Sequence, residues 1–183
     1  LSKRGYNAFA LIYRPGAQTA CEDLARAISF IFEHAEELKV NTDCYSLWGG
    51  SAGGRMAAWL GSYGPAAFGG DDLPRPGAVI MQYTGHSDYA ENDPPTFACV
   101  GESDGIANWR VMQQRIEALS SLGIPTEFHH YPGLRHGFGL GTGPTPGGWL
   151  DGAAAFWDAR TYPPPPTPRA RRQRPRKRSR VVG

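Results

Sequence analysis

Cysteine is scarce in this chain, and its few copies are badly spaced for joint chemistry. Cys21, Cys44 and Cys99 are the whole supply in 183 residues. An odd number without Cys-x-x-Cys spacing excludes a disulfide framework and offers no zinc site, so three free thiols, mostly buried, are expected, with no metal and no cofactor. Long apolar runs are missing too, so neither a membrane-spanning helix nor a secretory leader is expected within these residues, although a chain shortened at its N-terminus would have lost any leader. The default expectation for localisation is the cytoplasm, which the sequence otherwise leaves open. Acidic residues stop at Asp158. Residues 1–160 hold 11 Lys/Arg against 17 Asp/Glu, a net of −6, whereas residues 161–183 hold 8 Lys/Arg and no acid, a net of +8, so the overall +2 conceals two unlike regions.

That second region runs Pro163-Pro164-Pro165-Pro166-Thr167-Pro168 into an arginine-rich stretch, 169–180. It has too little apolar content to bury a core, so a disordered tail over 158–183, with the prolines as a stiff spacer, is the expectation. Clustered arginines bind phosphate, and nucleic acid is the partner that this segment alone suggests. The abrupt change of composition after Trp157 favours a duller origin, translation outside the proper frame. One domain, 1–157, is expected before it.

Glycine, by contrast, is abundant, and its densest cluster is the most informative. Gly49-Gly50-Ser51-Ala52-Gly53 reads G-x-S-x-G between a strand-like run, Asp43 to Trp48, and a helix-like run, Arg55 to Leu60. A strand turning sharply into a helix forces its middle residue into strained backbone space, and small neighbours let the flanking segments approach. Ser51 is therefore a candidate nucleophile. The Ala52 N–H, at the start of the following helix, is the candidate oxyanion donor.

A nucleophilic serine needs a base, and the base needs an acid to orient it. Pro95 to Gly101 is an apolar run ending in Glu102-Ser103-Asp104-Gly105, which puts Asp104 just past the carboxyl end of a buried strand. Thr126 to Tyr131 is another strand candidate, opening through Pro132-Gly133-Leu134-Arg135 onto His136-Gly137-Phe138. Ligands in open α/β sheets bind beyond the carboxyl ends of strands, and Ser51, Asp104 and His136 all fall there. Ser-Asp-Gly is also ordinary turn chemistry, and the other four histidines fit structural or solvated places.

These residues resemble the α/β-hydrolases, and within them the serine esterases related to bacterial acetyl and feruloyl esterases and dienelactone hydrolases. The resemblance covers roughly residues 1–157. It rests on Gly5-Tyr6 leading into Ala8 to Arg14, on Glu22-Asp23 and Ala27-Ile28, on the elbow at Ser51, on Gly101 to Asp104, and on Tyr131-Pro132-Gly133 with His136-Gly137-Phe138. It implies a Ser51–His136–Asp104 triad, an acyl-enzyme and a carboxylic ester substrate carrying a short acyl, acetyl or aryl group, such as those on plant carbohydrates. Peptidases of the prolyl-oligopeptidase type share the same elbow and are the alternative. An inactive fragment with a nucleic-acid-binding tail is the reading from another class. By the same resemblance the chain starts ahead of the fourth of eight strands, so the first three would be absent. So would the histidine-glycine loop that supplies a second oxyanion N–H. Asn7 to Arg14 would then either pair directly with Asp43 to Trp48 or leave unpaired edges.

The remaining pattern agrees with an α/β fold, a doubly wound and mostly parallel sheet. Thr19 to Glu22 reads as a capping box before an apolar face of Leu24, Ile28, Ile31, Phe32, Ala35 and Leu38. Ala78 to Tyr83 is a strand, and Asn108 to Leu122 a helix with Val111, Met112, Ile116 and Leu119 inward, stopped by Gly123. Trp149 to Trp157 is a closing helix. Gly50, Trp48, Tyr83, His86 and Phe138 are the candidate substrate-lining residues, with Trp149 near them.

Overall fold

The structure, a computed structural model, describes residues 1–141 and 147–161. A parallel four-stranded sheet is its frame, with strands in the order β1-β2-β3-β4: β1 Ser46–Gly50, β2 Ala78–Gln82, β3 Thr96–Gly101 and β4 Thr126–Tyr131. Five helices accompany it: α1 Ala17–Glu33, α2 Ala35–Leu38, α3 Ala52–Tyr63, α4 Trp109–Ser121 and α5 Trp149–Thr161. Parallel strands need crossovers, and α3 and α4 supply two of them.

Alternation along the central strands decides which helix goes where. In β2, Val79 and Met81 join Ala98 and Val100 of β3 in one core with Cys21, Ala25 and Ile28 of α1, Leu60 of α3, and Met112 and Leu119 of α4. The intervening residues, Ile80, Phe97 and Cys99, meet Trp149, Ala153 and Phe156 of α5 on the other face. Side chains of successive strand residues point to opposite faces, so a strand covered on both sides reads as continuously apolar. The described chain is thus layered helix, sheet, helix, as expected for a doubly wound α/β fold.

Several sequence expectations change at this level. The helix expected over Asn108 to Leu122 is α4, capped by the Asn108 side chain, which accepts the Arg110 N–H at 3.0 Å. The expected capping box at Thr19 does not form: α1 already starts at Ala17, after Gly16, which puts Thr19 inside the first turn. The buried face of α1 is Ala20, Cys21, Ala25 and Ile28, small enough for α1 to pack closely on α3, while Leu24 and Phe32 are only half-buried. The first strand begins at Ser46, later than Asp43, because the Asp43 N–H is taken by the Asn41 side chain in a turn.

The strand expected over Asn7 to Arg14 is not formed. No ladder among the described residues includes this segment, and Ile12 is 98% exposed. Its β-propensity is real, but a strand without a laddered neighbour has nothing to stabilise it. Instead the segment is pinned at its end, where the Arg14 guanidinium and backbone N–H both donate to Asp23. That contact holds the Asp23 carboxyl down at about 2.

The loop from Tyr83 to Pro95 crosses from β2 to β3 without a helix, and a buried ion pair organises it. Arg115 of α4 reaches in to donate to Asp93 at 2.5 Å and to the Asp88 carbonyl at 2.8 Å. Asp93 also accepts the Ala90 N–H, and Asp88 accepts the Tyr63 hydroxyl at 2.7 Å. Both members of a buried pair need such extra hydrogen bonds to offset desolvation. Burial drives the Arg115 guanidinium below its ordinary value, while Asp93 opposes that shift.

The three cysteines are free, Cys21 and Cys99 buried and Cys44 half-buried. Burial pushes the Cys21 and Cys99 thiols up to about 11 and about 12, so neither is a thiolate at neutral pH. Helix α5 runs to Thr161, past the 157–158 boundary drawn from composition, and Trp157 Nε1 donates to the Cys44 carbonyl at 3.0 Å. From residue 162 onward the expected tail and its basic stretch lie outside the described residues. Among the described residues no helix is long and apolar enough to cross a membrane, and no group of three His, Cys, Asp or Glu side chains could hold a metal ion.

Candidate active site

Strand β1 ends in two glycines, and the reason is steric. A Cβ on Gly49 would lie 2.2 Å from the Gly53 backbone, inside any van der Waals contact, so the strand and the first turn of α3 can meet only without one. Between them Ser51 takes φ 53° and ψ −119°, a strained conformation for a residue with a side chain. Its N–H donates to the Gln82 carbonyl at 2.9 Å, which ties the elbow to the end of β2. Ser51 occupies the N-cap position of α3 but makes no side-chain cap bond.

The hydroxyl is engaged elsewhere. Ser51 Oγ stands 3.0 Å from His136 Nε2, and His136 Nδ1 stands 2.7 Å from Asp104 Oδ2. An ionised carboxylate only accepts, so Nδ1 carries the proton and Nε2 is left to accept the serine O–H. The Asp104 side chain is 0% exposed and His136 21% exposed, so the carboxylate is dry while the imidazole remains reachable. Asp104 Oδ1 accepts the N–H groups of Ile106 and Ala107 at 2.8 and 2.7 Å. The turn role and the histidine contact are therefore carried by different oxygens of one carboxylate.

Ala52 is the first residue of α3, so its N–H is among the amides that lack a partner within the helix. Beside it lies an apolar cavity of about 170 Å³, walled by Tyr13, Ala20, Ala52, Met56 and Trp59, with Arg55 at its side. The Arg55 guanidinium lies 5.9 Å from the Trp59 ring centre.

Of the candidate lining residues, the structure gathers three. Tyr83 and Phe138 pack edge to face at 4.8 Å, Tyr83 meets His136 at 5.1 Å, and the Tyr83 ring covers Gly50. Trp48 is elsewhere: its indole donates to Ser46 Oγ at 2.7 Å and it packs in the α5 core, 6.4 Å from Trp149. That follows from strand alternation, which points Trp48 to the opposite face from Leu47. His86 is 4% exposed, packs edge to face on Trp59 at 5.4 Å, and leaves Nε2 without a hydrogen bond. Burial, followed by the charge of Arg115, holds it down to about 4, so it is neutral at ordinary pH. Gln82 is the site residue that the sequence reading missed. Its one signal is a polar side chain closing an otherwise apolar strand.

A sequence model of the family described as BD-FAE matches residues 1–72. Among solved structures, MGS-M1, an α/β-hydrolase enzyme from a Medee basin deep-sea metagenome library, superposes with TM-score 0.73 at 26% identity, over 86% of this chain and 72% of that one. This chain has the α/β-hydrolase fold. Two further solved structures are similar at 20% identity. An acetyl ester-xyloside bifunctional hydrolase from Caldicellulosiruptor lactoaceticus gives TM-score 0.67 over 80% of this chain and 69% of that one. Thermogutta terrifontis esterase 2, solved phosphonylated by cyclosarin, gives 0.67 over 79% and 67%. No curated protein matches the chain.

Proposed function

We propose that this α/β-hydrolase is a serine ester hydrolase that cleaves carboxylic esters of short acyl groups, including acetyl or aryl esters carried on carbohydrate. The observation that carries the reading is the unbroken contact from Ser51 Oγ through His136 to Asp104, at 3.0 and 2.7 Å. In this mechanism Ser51 attacks the ester carbonyl while His136 Nε2 takes its proton, forming a tetrahedral oxyanion. The Ala52 N–H, at the positive end of α3, donates to that oxygen. The proton on Nε2 then passes to the leaving alkoxide, which departs as an alcohol and leaves an acyl-serine. Water repeats the sequence: His136 takes its proton, the hydroxyl attacks the acyl carbon, and the acid is released with Ser51 regenerated. Asp104 stays ionised throughout and holds the imidazole in the tautomer with hydrogen on Nδ1.

The short-acyl reading rests on the resemblance read from the sequence, since the hollow of about 170 Å³ that Ala52 borders is lined by neither Ser51 nor His136. The test is covalent labelling of the full chain with a fluorescent fluorophosphonate, beside Ser51→Ala and His136→Ala. Labelling of the parent that vanishes in both variants is expected, followed by turnover of p-nitrophenyl acetate faster than of a long-chain ester. A folded parent that neither labels nor turns over any ester would overturn the reading.

A further inference from the structure

Tyr83 is the only aromatic residue among those described with a positive φ, at +32°. Bulky side chains avoid that region, and such a backbone persists only where its surroundings over-determine it. Those surroundings are the two halves of the site. Gln82, the residue before, accepts the Ser51 N–H at 2.9 Å on its carbonyl, and its side-chain amide donates to the Gly139 carbonyl at 3.0 Å. Tyr83 itself donates its N–H to the Cys99 carbonyl at 2.8 Å, so the turn is anchored to β3 as well. The ring then stands between Gly50, where a Cβ would come within 2.7 Å of the phenol oxygen, and the rings of His136 and Phe138.

The segment that carries His136 needs such support. Residues 132–141, which follow β4, lie in no strand or helix, and Gly133, Gly137, Gly139 and Gly141 all have positive φ, so this backbone is intrinsically permissive. Its ties to neighbouring elements include the Ser103 N–H to the Leu134 carbonyl at 3.0 Å, Asp104 and Ser51 to the imidazole, Gln82 to the Gly139 carbonyl, and the Gly139 backbone to the Tyr83 phenol. Ser51, on the far side, is fixed by the elbow. The Ser51–His136 distance is therefore set across a gap, and Gln82–Tyr83 is what bridges it.

We propose that Gln82 and Tyr83 form a positioning clasp, in which two adjacent residues at the end of β2 hold the His136 loop at hydrogen-bonding distance from the nucleophile elbow. Tyr83 is then a brace for the base and not a surface for the substrate. The inference rests on the proposed roles of Ser51 and His136, and its test is chosen to separate the two.

The variants are Tyr83→Gly, Tyr83→Phe and Gln82→Leu in the full chain. Glycine accepts the positive φ and removes the ring, so it separates the brace from the backbone strain. Displacing a catalytic group by about 1 Å can cost on the order of a hundredfold, so kcat on p-nitrophenyl acetate should fall roughly 10- to 100-fold in Tyr83→Gly. KM should stay within about threefold, as expected when only positioning is lost. Tyr83→Phe keeps the ring and gives up only the phenol's contact with the Gly139 backbone, so kcat should recover to within about threefold of the parent, while Gln82→Leu should fall in the same direction as glycine but less. If Tyr83→Gly does not fold, Gln82→Leu against Tyr83→Phe carries the same comparison. Independently of turnover, the His136 Nδ1–H resonance in proton–nitrogen spectra should be sharp in the parent and broadened in Tyr83→Gly. A Tyr83→Gly protein with parental kcat and a sharp resonance overturns the clasp, as does one whose KM rises while kcat holds. A parent inert to esters whose His136 resonance still depends on Tyr83 would sink the proposed function and leave the clasp standing.

Discussion

Two histidines face carboxylates across the same carboxyl edge of the sheet, and they differ in almost everything except that contact. His136 Nδ1 meets Asp104 at 2.7 Å, and His130 Nδ1 meets Glu102, two residues earlier on the same strand end. Asp104 is 0% exposed, whereas the Glu102 and His130 side chains are 33% and 43% exposed. Asp104 spends its second oxygen on two backbone N–H groups, and His136 spends its second nitrogen on Ser51. His130 lies instead stacked on Trp109 at 4.8 Å, a ring that also meets the Arg110 guanidinium and the core. A histidine beside an acid is therefore not yet a base with a task. Task follows from a dry acid whose remaining valences are satisfied and a free nitrogen aimed at a nucleophile.

The sharpest way to break that contrast is to neutralise each acid in turn. Asp104→Asn should lower kcat for ester hydrolysis by about 10⁴-fold, because the amide favours the wrong imidazole tautomer. Glu102→Gln should change it by less than about threefold, since an exposed pair contributes little. Steady-state kinetics on p-nitrophenyl acetate, with folding checked by circular dichroism, decide the matter. Equal losses in both variants would mean that the two pairs form one coupled network and that the distinction drawn from burial is mistaken.

Much of this edge could be read from residue patterns, and the misses have identifiable causes. The apolar run ending in Gly101 marked β3 and the strand candidate ending in Tyr131 marked β4, because both strands are bounded by turn residues and β3 is buried on both faces. Gly-x-Ser-x-Gly marked the elbow because the steric demand at Gly49 is local in sequence. What could not be read depends on partners distant in the chain. Asn7 to Arg14 has strand composition but no neighbour to ladder with, and α1 buries small residues where its large ones were expected. Arg115 carries no signal of its own within the helix pattern, yet its side chain is 2% exposed because Asp93 and the Asp88 carbonyl, 22 and 27 residues away, receive it. Trp48 and His86 were expected to line the site; Trp48 packs against the α5 cluster that Phe138 also borders, and His86 packs on Trp59, so neither is among the partners given above for Ser51, Asp104 or His136.

Arg115–Asp93 supplies the interior counterpart to the His136–Asp104 pair, dry on both sides where the latter is dry on one. Breaking it by Arg115→Met leaves an uncompensated buried carboxylate, which costs roughly 3–5 kcal/mol of stability. Denaturant unfolding should show that loss, and Asp93→Leu added to Arg115→Met should recover part of it. No recovery would mean that the arginine stem, and not the charge pair, holds the crossover loop.

His86 extends the comparison to a histidine with no acid in contact. Its folded value is about 4 against about 6.5 when free, because burial and the nearby Arg115 and Arg55 disfavour the charged ring, with only Asp88 opposing. The unfolded chain therefore binds the proton first as pH falls. Stability from this group is complete above about pH 6.5 and is lost progressively toward about pH 4, by roughly 1–3 kcal/mol. Unfolding midpoints measured across that window should flatten in His86→Phe relative to the parent. An unchanged slope would assign the acid sensitivity to other groups.

The smallest effect concerns the support beneath the exposed pair. Asn108 caps α4 through the Arg110 N–H, and α4 starts with Trp109, the ring on which His130 stacks. Asn108→Ala should cost about 1 kcal/mol of stability, the usual value of a lost N-cap. Because the partners of His136, namely Asp104, Ser51 and Tyr83, all lie outside α4, kcat should stay at the parental level while the unfolding midpoint falls. A drop in kcat comparable to that of Tyr83→Gly would show that the first turn of α4, next to the Asp104 turn at Ile106 and Ala107, transmits its order to the buried carboxylate. The two histidine pairs would then share a common foundation after all.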